Sequence, residues 1–273
     1  LNNFKEIEIA YPKKIEEQQR IANALSDIDT LIANLEKLIA KKKNIKQGAM
    51  QQLLTGRVRL PGFGLDERRK ECHSERSAKR EESSGYKMTE LGMIPTDWEV
   101  KTLDELCTRE DNKRIPIAEG KRKKGQVPYY GANGIQDYVE GFTHNGNYIL
   151  IAEDGANSLT DYPIQFVSGK IWVNNHAHIL KAKDIMDIHF AYYGFKTIDF
   201  ESNIVGCGRA KLNASVLMGL KCIVPSKEEQ TAIANVLSDM DTEIATLETK
   251  LAKYRTLKTG MMQQLLTGKI RLA

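Results

Sequence analysis

The chain lacks most of the marks that would assign it to a stapled, membrane-spanning or nucleotide-hydrolysing class. Its four cysteines, Cys72, Cys107, Cys207 and Cys222, form no CxxC and no metal-ligand spacing. That pattern fits buried or incidental thiols in a reducing compartment. No apolar run approaches the roughly 18 residues that cross a bilayer, and no basic-then-apolar leader opens the sequence. A cytoplasmic location with no membrane partner is expected. The first residue is Leu1 rather than Met, which reads as a fragment or as loss of residues upstream. A net charge of +4 over 273 residues is too weak to indicate a nucleic-acid partner by itself.

Catalytic signatures are equally scarce. There is no GxxxxGK[ST] loop, and Gly206-Cys207-Gly208-Arg209 is too short for a dinucleotide fingerprint. The asparagine-proline-proline-aromatic grip of adenine methyltransferases is absent. Glu99-Val100-Lys101 resembles half of a nuclease motif, but its nearest acid, Asp97, lies on the same face of the same extended segment. His176 and His178 in NNHAHIL share one side of a strand and would need a third ligand to hold a metal. Core or polar-contact histidines are the expectation, with no cofactor and no metal. Binding rather than catalysis is what remains.

What the chain does have is a duplication. Sliding it by 212 positions matches residues 16–60 to 228–272 without a gap, with 28 of 45 pairs identical. GAMQQLLTGRVRL near the end of the first copy returns as GMMQQLLTGKIRL in the second. Apolar residues recur in a four-three pattern, Ile21, Leu25, Ile28, Ile32, Leu35 and Ile39 in one copy and Ile233, Leu237, Met240, Ile244, Leu247, Leu251 and Tyr254 in the other. Such a stripe is a coiled-coil seam. Pro12 and Pro225 precede the segments, Ser226 with Glu229 forms a capping box, and Gly56 and Gly268 suit the helix exits. Each helix would run on the order of 60 Å at 1.5 Å per residue.

Charge predicts how the two helices pair. Both are acidic early (Glu16, Glu17, Asp27, Asp29; Glu228, Glu229, Asp239, Asp241) and basic late (Lys41, Lys42, Lys43, Lys46; Lys250, Lys253, Arg255, Lys258). An antiparallel pair sets acidic starts beside basic ends, whereas a parallel pair sets like against like. If these charges are only solvated faces, orientation stays open. Gly48 and Gly260 interrupt the pattern at equivalent places, at about 1 kcal/mol each relative to alanine. They mark either a close backbone approach, a bend, or simple tolerance.

Between the repeats, residues 66–82 hold six acids and six bases with almost no apolar content, which predicts a flexible or weakly helical linker. Residues 87–218 then change character: VPYYG, NYILIAEDG, IQFVSGKIWV and HAHILKA read as strands, Ala132-Asn133-Gly134 and Asn145-Gly146 as turns, and 184–194 as a helix. The fold class expected is α+β, a β-rich domain flanked by two long helices packed as an antiparallel coiled coil. This domain carries 15 basic and 17 acidic residues, yet Lys113, Arg114, Lys121, Arg122, Lys123 and Lys124 crowd 113–124 against Glu119 alone. Tyr129, Tyr130 and Asn133 follow at once. Concentrated cations attract phosphates, and tyrosine or asparagine stacks on or reads base edges. Arg209 and Lys211, in a glycine-flanked turn, join them as weaker candidates for a DNA face.

EEQxxIANxLSDxD and MQQLLTG in both repeats, with LGMIPTDWEV, VPYYGANGI and GKIWVNNHAHIL between them, resemble the specificity subunit of type I restriction-modification enzymes over nearly the whole chain. The resemblance implies a non-catalytic subunit with this layout: the end of a truncated first recognition domain (1–14), helical region 1 (15–60), linker (61–86), target-recognition domain (87–218) and helical region 2 (219–273). It implies double-stranded DNA as ligand, one part of a bipartite site being read. Two modification (methyltransferase) subunits would dock on the helical repeats, restriction subunits would join through the complex, and a homodimer would form if no upstream domain exists. The other reading is a coiled-coil scaffold whose middle domain binds protein.

Overall fold

The computed structural model describes residues 11–64, 85–203 and 211–272. The expected first-domain remnant, apart from residues 11–14, most of the charged linker, and Arg209 lie outside them. The chain divides into two compact units, one of residues 1–48 with 239–273, the other of residues 49–238.

The first unit is made of the arms of two helices, α1 (Ile15–Leu53) and the last helix of the chain, Lys227–Leu265, 39 residues each. Here the seam residues Ile21, Ile28, Ile39, Ile244 and Leu251 are buried, with Leu25, Ile32, Leu35, Met240 and Leu247 half-buried. Ion pairs fix the orientation, and four of them form two sets related by the 212-residue shift. Lys46–Asp241 has its counterpart in Asp29–Lys258 at 2.5 Å. Lys43–Glu248 at 2.6 Å has its counterpart in Glu36–Arg255 at 2.7 Å. Partner numbers fall as position numbers rise, so the helices are antiparallel around a local twofold. Exposed pairs of this kind contribute about 0–1 kcal/mol each; their role is to select orientation and register over the parallel alternative. Neither Gly48 nor Gly260 meets anything within 4 Å of a built Cβ, and both helices run through unbroken. Simple tolerance explains them.

The second unit carries the sheet. A hairpin of β1 (Tyr86–Thr89) and β2 (Gly92–Pro95) leads to β3 (Glu99–Thr102) and the short α2 (Leu103–Leu106). Thr102 and Glu105 close a capping box on α2. Then come β4 (Cys107–Arg109), β5 (Lys124–Gly131), β6 (Gly134–Val139), β7 (His144–Ala152), β8 (Ile164–Val173) and β9 (Ala177–Ala182). These six strands form one sheet in the order β4-β9-β7-β8-β5-β6, antiparallel except for β5 beside β8. Helix α3 (Ile188–Phe195) packs on β7, β8 and β9, burying Phe190, Tyr193 and Phe195. It starts later than the expected 184, because Asp187 accepts the amides of His189 and Phe190 and fixes the N-terminus there. After α4 (Ala214–Gly219), β10 (Lys221–Val224) pairs with β3, and α5 (Lys227–Leu265) begins. Ile233 and Leu237, the first seam residues of α5, are buried within this unit.

Three expectations change. Asn145-Gly146 is no turn: it opens β7, with Gly146 opposite Gly169 of β8. Residues 221–224, assigned to the second helical region, are a strand of the sheet unit. Only half of the Ser226/Glu229 capping box forms: the Glu229 amide donates to Ser226 Oγ at 3.4 Å, but the carboxylate is drawn elsewhere. Both exit glycines do adopt the left-handed conformation, Gly56 at φ 70° and Gly268 at φ 71°. Cys107 and Cys222 are free and buried, and burial pushes both thiols up to about 12, which leaves them inert. No helix among the described residues is long and apolar enough to cross a membrane.

Candidate functional site

Two groups of polar side chains organise the sheet unit, and the first absorbs much of the basic segment that the sequence singles out. Asp111 is buried and accepts from His178 Nδ1 at 2.7 Å, Arg109 Nη1 at 2.7 Å and the Ile179 amide at 2.8 Å. His178 Nε2 faces the Leu212 carbonyl at 2.8 Å, so the ring has an acceptor on each side. Arg114 bonds Glu153 at 2.5 Å and the Ala177 carbonyl at 2.9 Å, while Lys211 reaches Glu153 at 3.1 Å. Burial opposes ionisation of Asp111, but the bonds from His178, Arg109 and Ile179 outweigh it and hold the carboxyl at about 2. Glu153 is likewise held below its ordinary value, burial being overcome by Arg114 and Lys211.

Asp111, Glu153 and His178 can bring ligand atoms within 4.8 Å of one another, as a cation site requires. Yet Arg109, Arg114 and Lys211 already supply the positive charge there, and both His178 nitrogens are engaged. The cluster is a charge-compensated brace between β9, the segment after β4 and the start of the 211–219 region. Because the Asp111 carboxyl titrates lower in the folded than in the unfolded chain, its contribution is complete above about pH 4 and fades as pH falls toward 2. The stability gap between wild type and Asp111→Asn, measured by urea unfolding, is therefore expected to narrow below pH 4. A gap that stays constant down to pH 2.5 contradicts this assignment.

The other candidates separate by exposure. Tyr129 is only 1% exposed. Its hydroxyl accepts the Ile117 amide at 3.0 Å, and Arg122 lies over its ring at 4.3 Å. This corrects the expectation that Tyr129 faces a ligand: every second residue of β5 points into the core, and Tyr129 is one of these. Arg122 also donates to the Ile117 carbonyl at 3.2 Å, so with Arg114 it serves the fold. Asn133 ties the β5–β6 turn to the β7–β8 loop, donating to the Gly155 carbonyl at 2.8 Å and accepting the Asn157 amide at 2.9 Å. Lys113 pairs with Glu110 at 2.7 Å, and Tyr130 is half-buried against the sheet core. Lys121, Lys123 and Lys124 remain exposed and outside the ion pairs among the described residues. They lie at the start of β5, where Lys124 pairs with Val139 and the Glu140 amide donates to the Lys123 carbonyl at 3.0 Å.

Next to them is a residue that the charge pattern does not mark. Tyr138 of β6 is 51% exposed, and β6 is the edge strand of the sheet. Alternation along β6 foretells this: Tyr138 precedes buried Val139, so its ring points away from the core.

The second polar group is a clamp at the end of α1. Arg59 meets Glu229 with two bonds of 2.6 Å and Asp97 with bonds of 2.9 and 3.1 Å. Trp98, fully buried, donates its indole N–H to Glu229 at 3.0 Å. Tyr86 donates to the Gly56 carbonyl at 3.1 Å. A Cβ on Gly56 would come within 2.5 Å of Pro95, so only glycine lets this turn lie against Pro95 and Trp98. Burial weakens the Arg59 cation, but Glu229 and Asp97 overcome this and hold it above the ordinary arginine value. The lead-in segment LGMIPTDWEV is thereby fastened to both copies of the repeat, through Gly56 and Arg59 of one and Glu229 of the other.

The chain is thus a mixed sheet with a lysine-bearing edge hairpin, framed in sequence by two copies of one helical repeat. The chain belongs to the type I restriction modification DNA specificity domain family, whose model matches residues 95–253. It is 42% identical over 139 residues to a putative type I restriction enzyme specificity subunit of Haemophilus influenzae, covering 51% of this chain and 36% of that protein. It is 25% identical to the type I restriction enzyme MjaVIII specificity subunit of Methanocaldococcus jannaschii, over 98% of this chain and 63% of that one. The crystal structure of a type I restriction-modification S subunit from M. genitalium has the same fold, with a TM-score of 0.64 at 19% identity, covering 96% of this chain and 63% of that one. The chain thus spans between about one third and two thirds of the length of these relatives.

Proposed function

We propose that this chain is a non-catalytic DNA-recognition subunit of a type I restriction-modification complex in the cytoplasm, its sheet unit reading one part of a bipartite duplex target. Membership of the DNA specificity domain family carries this reading. The edge hairpin supplies the chemistry, with Lys121, Lys123 and Lys124 for phosphates and Tyr138 and Tyr130 for bases. The helical repeats scaffold two modification subunits, and restriction subunits join through them. Supporting this, the repeat places exposed apolar residues at equivalent positions of the two-helix unit, Ile45 and Leu257 at 47% and 49%. Two like faces suit two copies of one partner.

The test is duplex binding as a function of salt, by the chain assembled with modification subunits. Replacing Lys121, Lys123 and Lys124 by alanine is expected to weaken binding to every sequence. It should also reduce the slope of log affinity against log salt by about 2–3, as loss of three phosphate contacts does. Tyr138→Ala should instead change which sequence is preferred. If neither variant alters binding, the DNA face lies elsewhere on the sheet unit.

A further inference from the structure

Asn145-Gly146, which has turn chemistry but lies in β7, belongs to a stretch of ribbon that the neighbouring strands leave alone. β9 pairs with β7 only from Ile149 onward, and β5 pairs with β8 only at Trp172 and Val173. Among the described residues, 145–148 and 167–170 therefore pair only with each other. Their register is Asn145↔Lys170, Gly146↔Gly169, Asn147↔Ser168 and Tyr148↔Val167.

The two faces of this ribbon differ. One holds His144, Tyr148, Val167 and Ile171, all buried, with the His144 and Tyr148 rings edge to face at 5.4 Å. A Cβ on Gly146 would come within 3.4 Å of the Tyr148 ring, and both glycines have positive φ, 147° and 83°. The other face is covered by α3 as far as Phe166, whose ring meets His189 at 4.4 Å. The next four side chains on it, Asn145, Asn147, Ser168 and Lys170, are exposed. Strand alternation puts all four on one side, as two cross-strand pairs separated by a step that carries no side chain. None of the four is acidic.

Their partners leave hydrogen-bonding capacity unused. Ser168 donates to Asn147 Oδ1 at 2.8 Å, which fixes that amide and leaves its nitrogen without a partner among the described residues. The Asn145 side chain makes no hydrogen bond among them. Lys170 lies over the Phe142 ring at 5.1 Å, and Phe142 is 47% exposed. The connection 140–143 joins this face to the lysine-bearing hairpin. At one end the Glu140 amide donates to the Lys123 carbonyl at 3.0 Å, and at the other the Thr143 amide donates to the Ile171 carbonyl at 2.9 Å.

We infer, on the strength of the DNA-recognition reading above, that the exposed face of this ribbon is a further base-reading element. Asn145 and Asn147 are its specificity-determining residues, and Lys170 takes a phosphate. The major groove, about 12 Å wide, admits a two-stranded ribbon. A carboxamide offers one donor and one acceptor at the spacing of adenine N7 and N6. Asn145, unbonded, is able to make both contacts. Asn147, its oxygen held by Ser168, presents a donor alone.

Selection from a library of interrupted duplex sites, by the chain assembled with modification subunits, tests this. Wild type is expected to select one pattern. Asn145→Ala should lose preference at one base pair, an A·T by the chemistry of the amide, by about tenfold. Lys170→Ala should instead weaken binding to every sequence and reduce the slope of log affinity against log salt by about 1. Both side chains are exposed, so circular dichroism and the unfolding midpoint should match wild type. An Asn145→Ala pattern identical to that of wild type overturns the inference. So does uniform weakening without a change of pattern, which marks a phosphate contact. If Tyr138→Ala changes the pattern and Asn145→Ala does not, the DNA reading stands and the ribbon inference alone fails. A wild-type complex that selects no sequence removes both.

Discussion

Glu229→Gln is expected to destabilise the protein by about 3 kcal/mol, while Glu17→Gln, the same residue of the repeat, leaves the unfolding midpoint within the scatter of wild type. Glu229 is 1% exposed and serves Arg59 and Trp98 together. Breaking a buried ion pair on one side costs about 3–5 kcal/mol, because the other charge stays buried without compensation. The lower end applies here, since Arg59 keeps Asp97. Glu17 is itself buried, but its partner Arg271 has a side chain 66% exposed, so replacing the Glu17 carboxylate leaves no buried cation without compensation. Urea unfolding of both variants makes the comparison with sequence neighbours matched by the repeat. Equal losses would mean that the clamp around Trp98 adds nothing to the repeat's own ion pair.

The same contrast shows what a sequence makes legible. The helices are readable because their determinants are local and periodic: a seam every three or four residues, charge sorted along the axis, a glycine at each exit. Antiparallel pairing follows from the charge order, and Lys46–Asp241 and Asp29–Lys258 realise it. The four main strands are readable from β-branched and aromatic runs. Features decided by distant partners are not. Glu229 fits a capping box by spacing, yet Arg59, 170 positions away, and Trp98, 131 positions away, take its carboxylate. Asn145-Gly146 has turn chemistry, but a pairing partner in β8 holds it in a strand.

The candidate DNA face illustrates the harder half of the problem. A basic run states how much charge is present, not where it goes. Arg114 and Arg122 are consumed by Glu153 and by the Tyr129 ring and Ile117 carbonyl, partners whose proximity only the sheet order creates. Asp111 and His178 lie 67 positions apart, and no spacing rule joins them. Lysines fare differently from arginines here: a lysine is a strongly hydrated point charge that stays in water, whereas the planar guanidinium forks onto buried acceptors and aromatic rings. Applied to 113–124, that difference in side-chain chemistry is enough to separate Lys121, Lys123 and Lys124 from Arg114 and Arg122.

Ile28→Asp combined with Leu35→Asp is expected to melt the two-helix unit ahead of the sheet unit. Ile28 is 4% exposed and Leu35 half-buried, so a carboxylate at Ile28 costs about 3 kcal/mol or more, and one at Leu35 less. The helical arms have no other source of stability on that scale. An isolated helix is marginal in water, and the ion pairs between the arms are mostly exposed. The sheet unit keeps its own core around Tyr148, Leu150, Val167 and Ile171, and both tryptophans belong to it. The doubly substituted chain should therefore lose helical ellipticity at 222 nm in an early transition, or aggregate through the exposed seam. Tryptophan fluorescence should hold until a later transition near that of wild type. Wild-type melting by both probes would sink the view that the repeats pair with each other through this seam. A single early transition in both probes would mean that the sheet unit depends on the paired arms for its own stability.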